Sequence, residues 1–435
     1  MKRKFYLSLV IFSLAGQIAW VVENMYLNVF IHEMFGASPA QISLMVSASA
    51  VSAALTTVLM GALSDKVGKR RAFISGGYIL WGISILAFAL VRTDLIGAIL
   101  PATASVYTVC IGLVIGLDCL MTFFGSTAND ACFNAWLTDM TDSGQRGKAE
   151  GINSVMPLIA LLAVFGGFMS FDLSRAQSWT AIFAIIGGAV LLIGILGLFL
   201  IPEPQLRVEG NKKYFANIVY GFRPSVMREN KGLYLCLAGV ALFGVSIQIF
   251  MPYLILYYTD ALRMDNYVLI MAPAILVASV FTVLWGRVYD RLGFGRSLIP
   301  ALALLAAGYL MLYFFRGTAP VFVGSLLMMC GYLSGTASFG AAIRDRTPEN
   351  RSGMFQGLRI VAQVLLPGII GPSVGAWILR DAETVVGQDG VETFIPNAGI
   401  FLGALLALAL LAIYLPILLK RPRGAEEKGA ESPLR

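Results

Sequence analysis

Apolar runs of about 20 residues recur along the whole chain, each long enough to cross a hydrocarbon core of about 30 Å as a helix. Lipid offers the backbone no hydrogen bonds, so such a chain must form a helix bundle or a closed barrel. Barrel strands alternate polar and apolar side chains over about 10 residues. The run AIFAIIGGAVLLIGILGLFLI at 181–201 does not alternate. Of 435 residues, 58% are hydrophobic and only 13% charged, too little polar surface for a water-exposed fold of this size. The sequence is therefore that of an all-α polytopic membrane protein.

The runs predict twelve transmembrane helices, at 5–31, 39–63, 72–92, 104–139, 148–170, 178–201, 232–259, 266–286, 297–316, 319–344, 354–379 and 398–419. The fourth is too long for one straight crossing at about 1.5 Å per residue. It is expected to start later, break near its glycines or project beyond the membrane. The opening MKRKFYLSLVIFSLAG imitates a signal peptide, but it stays apolar to Phe30 without a good cleavage context and reads as a retained first helix. A polar stretch at 202–231 divides two six-helix bundles, 1–201 and 232–419, and 420–435 forms a tail.

With both termini on one side, that side holds 26 of the 32 Lys and Arg residues and the other side five. The positive-inside rule then places both termini in the cytoplasm. The net charge of +7 thus belongs to topology, and a nucleic-acid partner is not expected. The segment GALSDKVGKRR at 61–71 becomes a terminal-side hairpin, and the acidic DAETVVGQDGVETF loop faces the other way. The five cysteines all fall in apolar helices, so no disulfide is expected. The sole histidine, His32, rules out a multi-histidine metal centre, and no metal or resident cofactor is expected. No GxxxxGK[ST] loop is present, and no nucleophile constellation suggests an enzyme.

The two halves repeat each other. Gly61-Ala-Leu-Ser-Asp65-Lys-Val-Gly68-Lys69-Arg70 is echoed by Gly286-Arg-Val-Tyr-Asp290-Arg291-Leu-Gly293-Phe-Gly295-Arg296. Phe133-Asn-Ala135-Trp-Leu-Thr-Asp139-Met-Thr141 is echoed by Phe339-Gly-Ala341-Ala-Ile-Arg-Asp345-Arg-Thr347, with Arg146 and Arg351 following. Two six-helix halves with both ends on one side are parallel repeats about an axis along the membrane normal. These loops resemble the signature of the major facilitator superfamily over essentially the whole chain. Within it, Met25-Tyr26-Leu27, Gly36-Ala37-Ser38, Gly68-Lys69-Arg70-Arg71-Ala72-Phe73, Asp130 and Phe394-Ile-Pro-Asn-Ala resemble the glycoside–pentoside–hexuronide cation symporters, the melibiose-permease-like branch. The chain departs from that branch at the second-helix aspartate pair, matched here by Ala53 and Thr57, and at the first-helix sugar aspartate, matched by Gln17. It also lacks that branch's eleventh-helix lysine.

A charge at the bilayer centre costs roughly 3 kcal/mol or more, so intramembrane ionisable residues are functional candidates. Glu23, Asp118 and Asp130 are the candidates for ion coupling. An ideal helix separates Asp118 from Asp130 by about 18 Å, so they are expected to do different jobs. At 100° per residue, Gln17, Trp20, Asn24 and Asn28 fall within about 80°, a stripe suited to line a pathway or to hydrogen-bond between helices. On the fourth helix Asp118, Thr122, Asn129 and Trp136 share a face, with Asp130 elsewhere. Gln248, Tyr253 and Tyr257 offer amide and phenol groups to a sugar, or in the tyrosines' case an interfacial belt. Gln356, Arg359 and Gln363 share a face of the eleventh helix. Arg359 is placed to pair with an acid, bind an anionic substrate group or snorkel to the terminal-side surface.

Asp65, Lys69, Arg70, Arg71, Asp139 and Arg146, with Asp290, Arg296, Asp345 and Arg351, are candidates for gating charge pairs that break as the halves rock. The resemblance implies a monomeric plasma-membrane carrier, in the inner membrane of a bacterium, working by alternating access. It implies cation-coupled uptake of a sugar or glycoside, with a proton favoured over sodium. An exporter of drugs or amphipathic solutes, and a non-transporting membrane receptor, are the alternatives.

Overall fold

A computed structural model describes residues 2–100, 105–141, 143–204, 222–264, 266–347, 355–386 and 390–419. The long helices are α1 (Arg3–Phe35), α2 (Pro39–Val67), α3 (Arg70–Phe88), α4 (Val106–Asp139), α5 (Ser143–Phe168) and α6 (Ala176–Leu200). They continue as α7 (Lys231–Ala261), α8 (268–292), α9 (294–314), α10 (Thr318–Arg346), α11 (Gly357–Ile378) and α12 (Gly399–Leu419). The twelve spans agree with the sequence reading. α8 and α9 run on with a single break at Gly293, whose φ of 76° only glycine adopts freely. Gly68, its counterpart in the repeat, closes α2 at φ 70°. The same backbone corner thus recurs in both halves.

Packing repeats as well. α1 lies against α5 and α6, and α7 lies against α11 and α12. The halves meet along α2 with α11 and along α5 with α8. Close approach within a half depends on glycine, as TM packing does generally. A Cβ at Gly82 would sit 2.4 Å from the Leu191 backbone nitrogen, and one at Gly331 2.4 Å from that of Leu305. Large apolar side chains such as Leu192, Phe199, Trp377 and Ile413 are exposed on the outer faces, where lipid replaces water as the neighbour.

Four helices depart from α geometry. Val22–Tyr26 in α1, Ser126–Phe133 in α4, Tyr257–Ala261 in α7 and Val361–Leu365 in α11 are π-helical. The long fourth helix therefore neither starts much later nor breaks at a glycine; it is continuous and locally over-wide. The sequence reading also missed a small antiparallel hairpin between α11 and α12. It pairs β1 (Thr384–Val386) with β2 (Glu392–Phe394), with Val385 opposite Thr393. Most of the 202–231 linker and the whole 420–435 tail lie outside the described residues.

On the side opposite the termini, contacts close the seam between the halves. Tyr253 donates its hydroxyl to the Pro39 carbonyl at 3.1 Å, and Tyr267 to the Tyr26 hydroxyl at 3.0 Å. Nearer the centre, Ser47 donates to the Gly368 carbonyl at 3.2 Å.

Candidate functional site

A cavity of about 270 Å³ lies between the halves, lined from the first half by α1, α2 and α4 and from the second by α7 and α11. Its wall includes Trp20, Glu23, Asn24, Asn28, Ser49, Asp118, Thr122 and Asp130, with Gln248 and Gln363 facing them. Glu23 is only 7% exposed. Its Oε1 lies 3.0 Å from the Ser49 hydroxyl and 2.8 Å from that of Thr122, and the two hydroxyls lie 2.7 Å apart. Its Oε2 has no hydrogen-bond partner. Asp118, 2% exposed, leaves Oδ1 without a partner, and buried Asn28 does the same. The cavity is thus bordered by three residues that each hold a buried acceptor lacking a donor, which is costly in a dry interior.

The π segments explain which residues reach this wall. An i→i+5 turn holds one residue more than an α turn and deprives a carbonyl of its usual partner. In α1, Asn24 donates its amide to the Trp20 carbonyl at 2.8 Å, and Asn28 to that of Asn24 at 2.9 Å. These bonds engage one N–H of each amide and leave the carboxamide oxygens as acceptors. In α4 the extra residue rotates everything beyond it by about 100° relative to a straight helix. Asp130 therefore joins Asp118 and Thr122 on the cavity wall, taking a hydrogen bond from Ser126 at 3.0 Å.

That corrects the straight-helix assignment of α4. Asn129 turns away from the cavity and donates to the Tyr78 hydroxyl at 2.8 Å, which itself donates to the Phe12 carbonyl at 2.6 Å. Asp118 and Asp130 are not set to separate places either, since one cavity takes both with Glu23. Gln17 is half-buried just under one turn of helix before Trp20 and does not line the cavity. Tyr253 and Tyr257 are buried, their hydroxyls committed to backbone carbonyls of Pro39 and Leu312. They fasten helices and do not line the cavity. Ser49 was missed; its sequence signal is the run of small hydroxyl residues in α2, Ser47, Ser49 and Ser52.

Arg359 lies outside the cavity wall. Its Nε has no hydrogen-bond partner, and the charge that acts on it is Arg344 of α10. No acid pairs with it among the described residues. The Gln356 side chain, expected on the same face, lies outside them.

At the terminal side, Arg70 is 4% exposed and gathers three partners. It meets Asp65 at 2.5 Å, Asp139 at 2.9 Å and the Ser64 hydroxyl at 2.6 Å. Arg71 reaches Glu203 at 3.7 Å. The Arg70 contacts tie α2, α3 and α4 of the first half together, Arg71 reaches the start of the linker, and none of them bridges the halves. In the second half Asp345 accepts from Tyr289 at 2.5 Å, while Asp290, Arg296 and, in the first half, Lys69 are exposed. The Arg146 side chain and Arg351 lie outside the described residues.

Residues 6–372 match the Major Facilitator Superfamily. The chain belongs to that superfamily. It is a membrane-spanning transporter and not an enzyme. Two solved superfamily structures share its fold. The nucleoside transporter NupG matches with a TM-score of 0.70 at 15% identity, covering 97% of this chain and 100% of NupG. The D-xylose-proton symporter matches with a TM-score of 0.70 at 16% identity, covering 94% and 96%. Among curated proteins, Sugar efflux transporter A of Dickeya chrysanthemi is 28% identical over 202 residues. That stretch covers 46% of this chain and 47% of the relative, so the match spans about half of each.

Proposed function

We propose that this facilitator carries a small hydroxyl-rich solute, a sugar or glycoside, through the central cavity by alternating access coupled to a proton. The observation that carries the reading is the set of orphan acceptors on the wall, Glu23 Oε2, Asn28 Oδ1 and Asp118 Oδ1. A polyol supplies the hydroxyl donors they lack, and the Trp20 ring offers an apolar face for its C–H surface. The volume sits just below the roughly 300–1,000 Å³ of drug-sized pockets, which suits a small solute. A sugar carrier and a sugar-proton symporter among the similar proteins support the same substrate class.

Coupling is assigned to Glu23. Its Oε1 and the Ser49 and Thr122 hydroxyls form a closed triangle of short contacts. Two hydroxyl protons fill only two of its three sides, and a proton on the carboxyl fills the third. Asp118 and Asp130, within electrostatic reach of Glu23, are the next stations. Sodium is disfavoured because Ala53 lines the cavity where the glycoside–pentoside–hexuronide branch carries a carboxylate, and Thr57 is bonded to the Ala53 carbonyl at 2.8 Å. We place the chain nearest that branch on its loop motifs. With the termini in the cytoplasm, the seam closed by Tyr253 and Tyr267 faces outward. We assign the carrier to the plasma membrane, as a monomer.

Reconstituted protein is expected to show saturable counterflow of a labelled sugar, and a pH gradient is expected to drive its accumulation. Glu23→Gln should keep counterflow and lose accumulation. Absence of counterflow across a broad sugar panel would overturn the substrate class. A second reading concerns direction. The Dickeya relative is named for efflux, and net export from cells preloaded with the sugar would establish that direction.

A further inference from the structure

The seam opposite the termini holds a second constellation, one helical turn beyond Asn28 of the cavity wall. His32, in the last turns of α1, is fully buried. Its ring stands edge-on to Phe394 of β2, with centroids 4.7 Å apart, which fixes the ring plane. Nε2 points across the seam and lies 3.2 Å from Asp260 Oδ2, in the π segment that ends α7. Yet neither ring nitrogen makes a hydrogen bond of acceptable geometry. Glu33 completes the group: one ligand atom from each of His32, Glu33 and Asp260 lies within 4.8 Å of the others. A buried imidazole aimed at a carboxylate without a hydrogen bond is expensive.

We infer that His32, Glu33 and Asp260 form a binding site for a divalent transition metal such as zinc, which bridges the two halves and clamps this side shut. Zinc holds nitrogen and oxygen donors at about 2.0–2.2 Å, so tetrahedral neighbours stand about 3.3–3.5 Å apart. The His32–Asp260 separation is already near that edge length. An imidazole and two carboxylates are all donors that zinc accepts, and three protein ligands leave a fourth position for water. Asp260, 23% exposed, gives access from water. Two ligands come from α1 and one from α7, so the ion binds only where the halves touch. At a hundred times its dissociation constant, an ion with no affinity for the open form shifts the balance toward the closed one about a hundredfold.

Titration of zinc chloride into the purified full-length protein tests this. The wild type is expected to take up one ion, and His32→Asn and Asp260→Asn to bind it at least about tenfold more weakly. Cobalt(II) in its place should give the intense visible absorption of a four- or five-coordinate ion. His32→Cys should restore binding and add a thiolate charge-transfer band, which separates lost ligation from lost folding. Equal zinc uptake by wild type and variants, no uptake at one equivalent, or only the weak spectrum of a six-coordinate cobalt ion would overturn the inference.

Discussion

Asn28 lines the cavity with its Oδ1 unpaired, whereas Asn129 commits its amide to Tyr78. Asn28→Ala should therefore weaken solute half-saturation by up to about tenfold, the worth of one hydrogen bond, with little change in melting temperature. Asn129→Ala should do the reverse, destabilising by about 1–3 kcal/mol as the buried Tyr78 hydroxyl loses a donor. Counterflow kinetics and thermal unfolding of the two variants separate these outcomes. Arg70 is a third case. Arg70→Met leaves Asp139 without its cation, while Ser64 keeps its bond to the Gly61 carbonyl, and should cost about 3 kcal/mol, at the low end for a buried pair because Asp65 is half exposed. At this scale the sequence was a partial guide. Glu23, Asp118 and Asp130 stand out because an acid inside an apolar run has no cheap explanation. Tyr253 and Tyr257 misled, because a phenol reads alike whether it greets a ligand, water or a distant carbonyl. Ser49 was overlooked within its run of hydroxyl residues, since serine is common glue in membrane helices.

The helices themselves were legible, because about 20 apolar residues leave the backbone one solution in lipid. Their faces were less so. A wheel at 100° per residue assumes an unbroken i→i+4 ladder, and π segments in α1, α4, α7 and α11 violate it. Hairpin β1–β2 escaped because three-residue strands carry almost no pattern. Glycine positions carry a testable distinction. Gly82→Ala and Gly331→Ala press a methyl into a neighbouring backbone and should destabilise by about 1–3 kcal/mol. Gly76→Ala meets nothing within 4 Å and should be neutral or stabilising by up to about 1 kcal/mol. Thermal melts of the three variants in one detergent check the ranking.

Across the whole molecule, the repeat seen in two loop motifs reappears as paired glycine corners and paired helix contacts, while the seam between halves left no trace in the sequence. Closing that seam falls to a few groups. Tyr253→Phe removes one cross-half hydrogen bond worth about 1 kcal/mol, which corresponds to about a fivefold shift toward the form open on that side. The rate at which a thiol reagent reaches Ser49→Cys from that side should rise accordingly. Orientation is checked by Lys66→Cys, which should react with an impermeant maleimide only in inverted vesicles. The eight-residue π segment of α4 reaches beyond this chain. A relative whose fourth helix is straight stays in register with this one on one side of the segment only. Matching Asp130 to its true counterpart requires a one-residue gap in the middle of a membrane helix, where alignments are built to avoid gaps. Without that gap, roles copied from relatives slip by one place, and Asn129 inherits what belongs to Asp130.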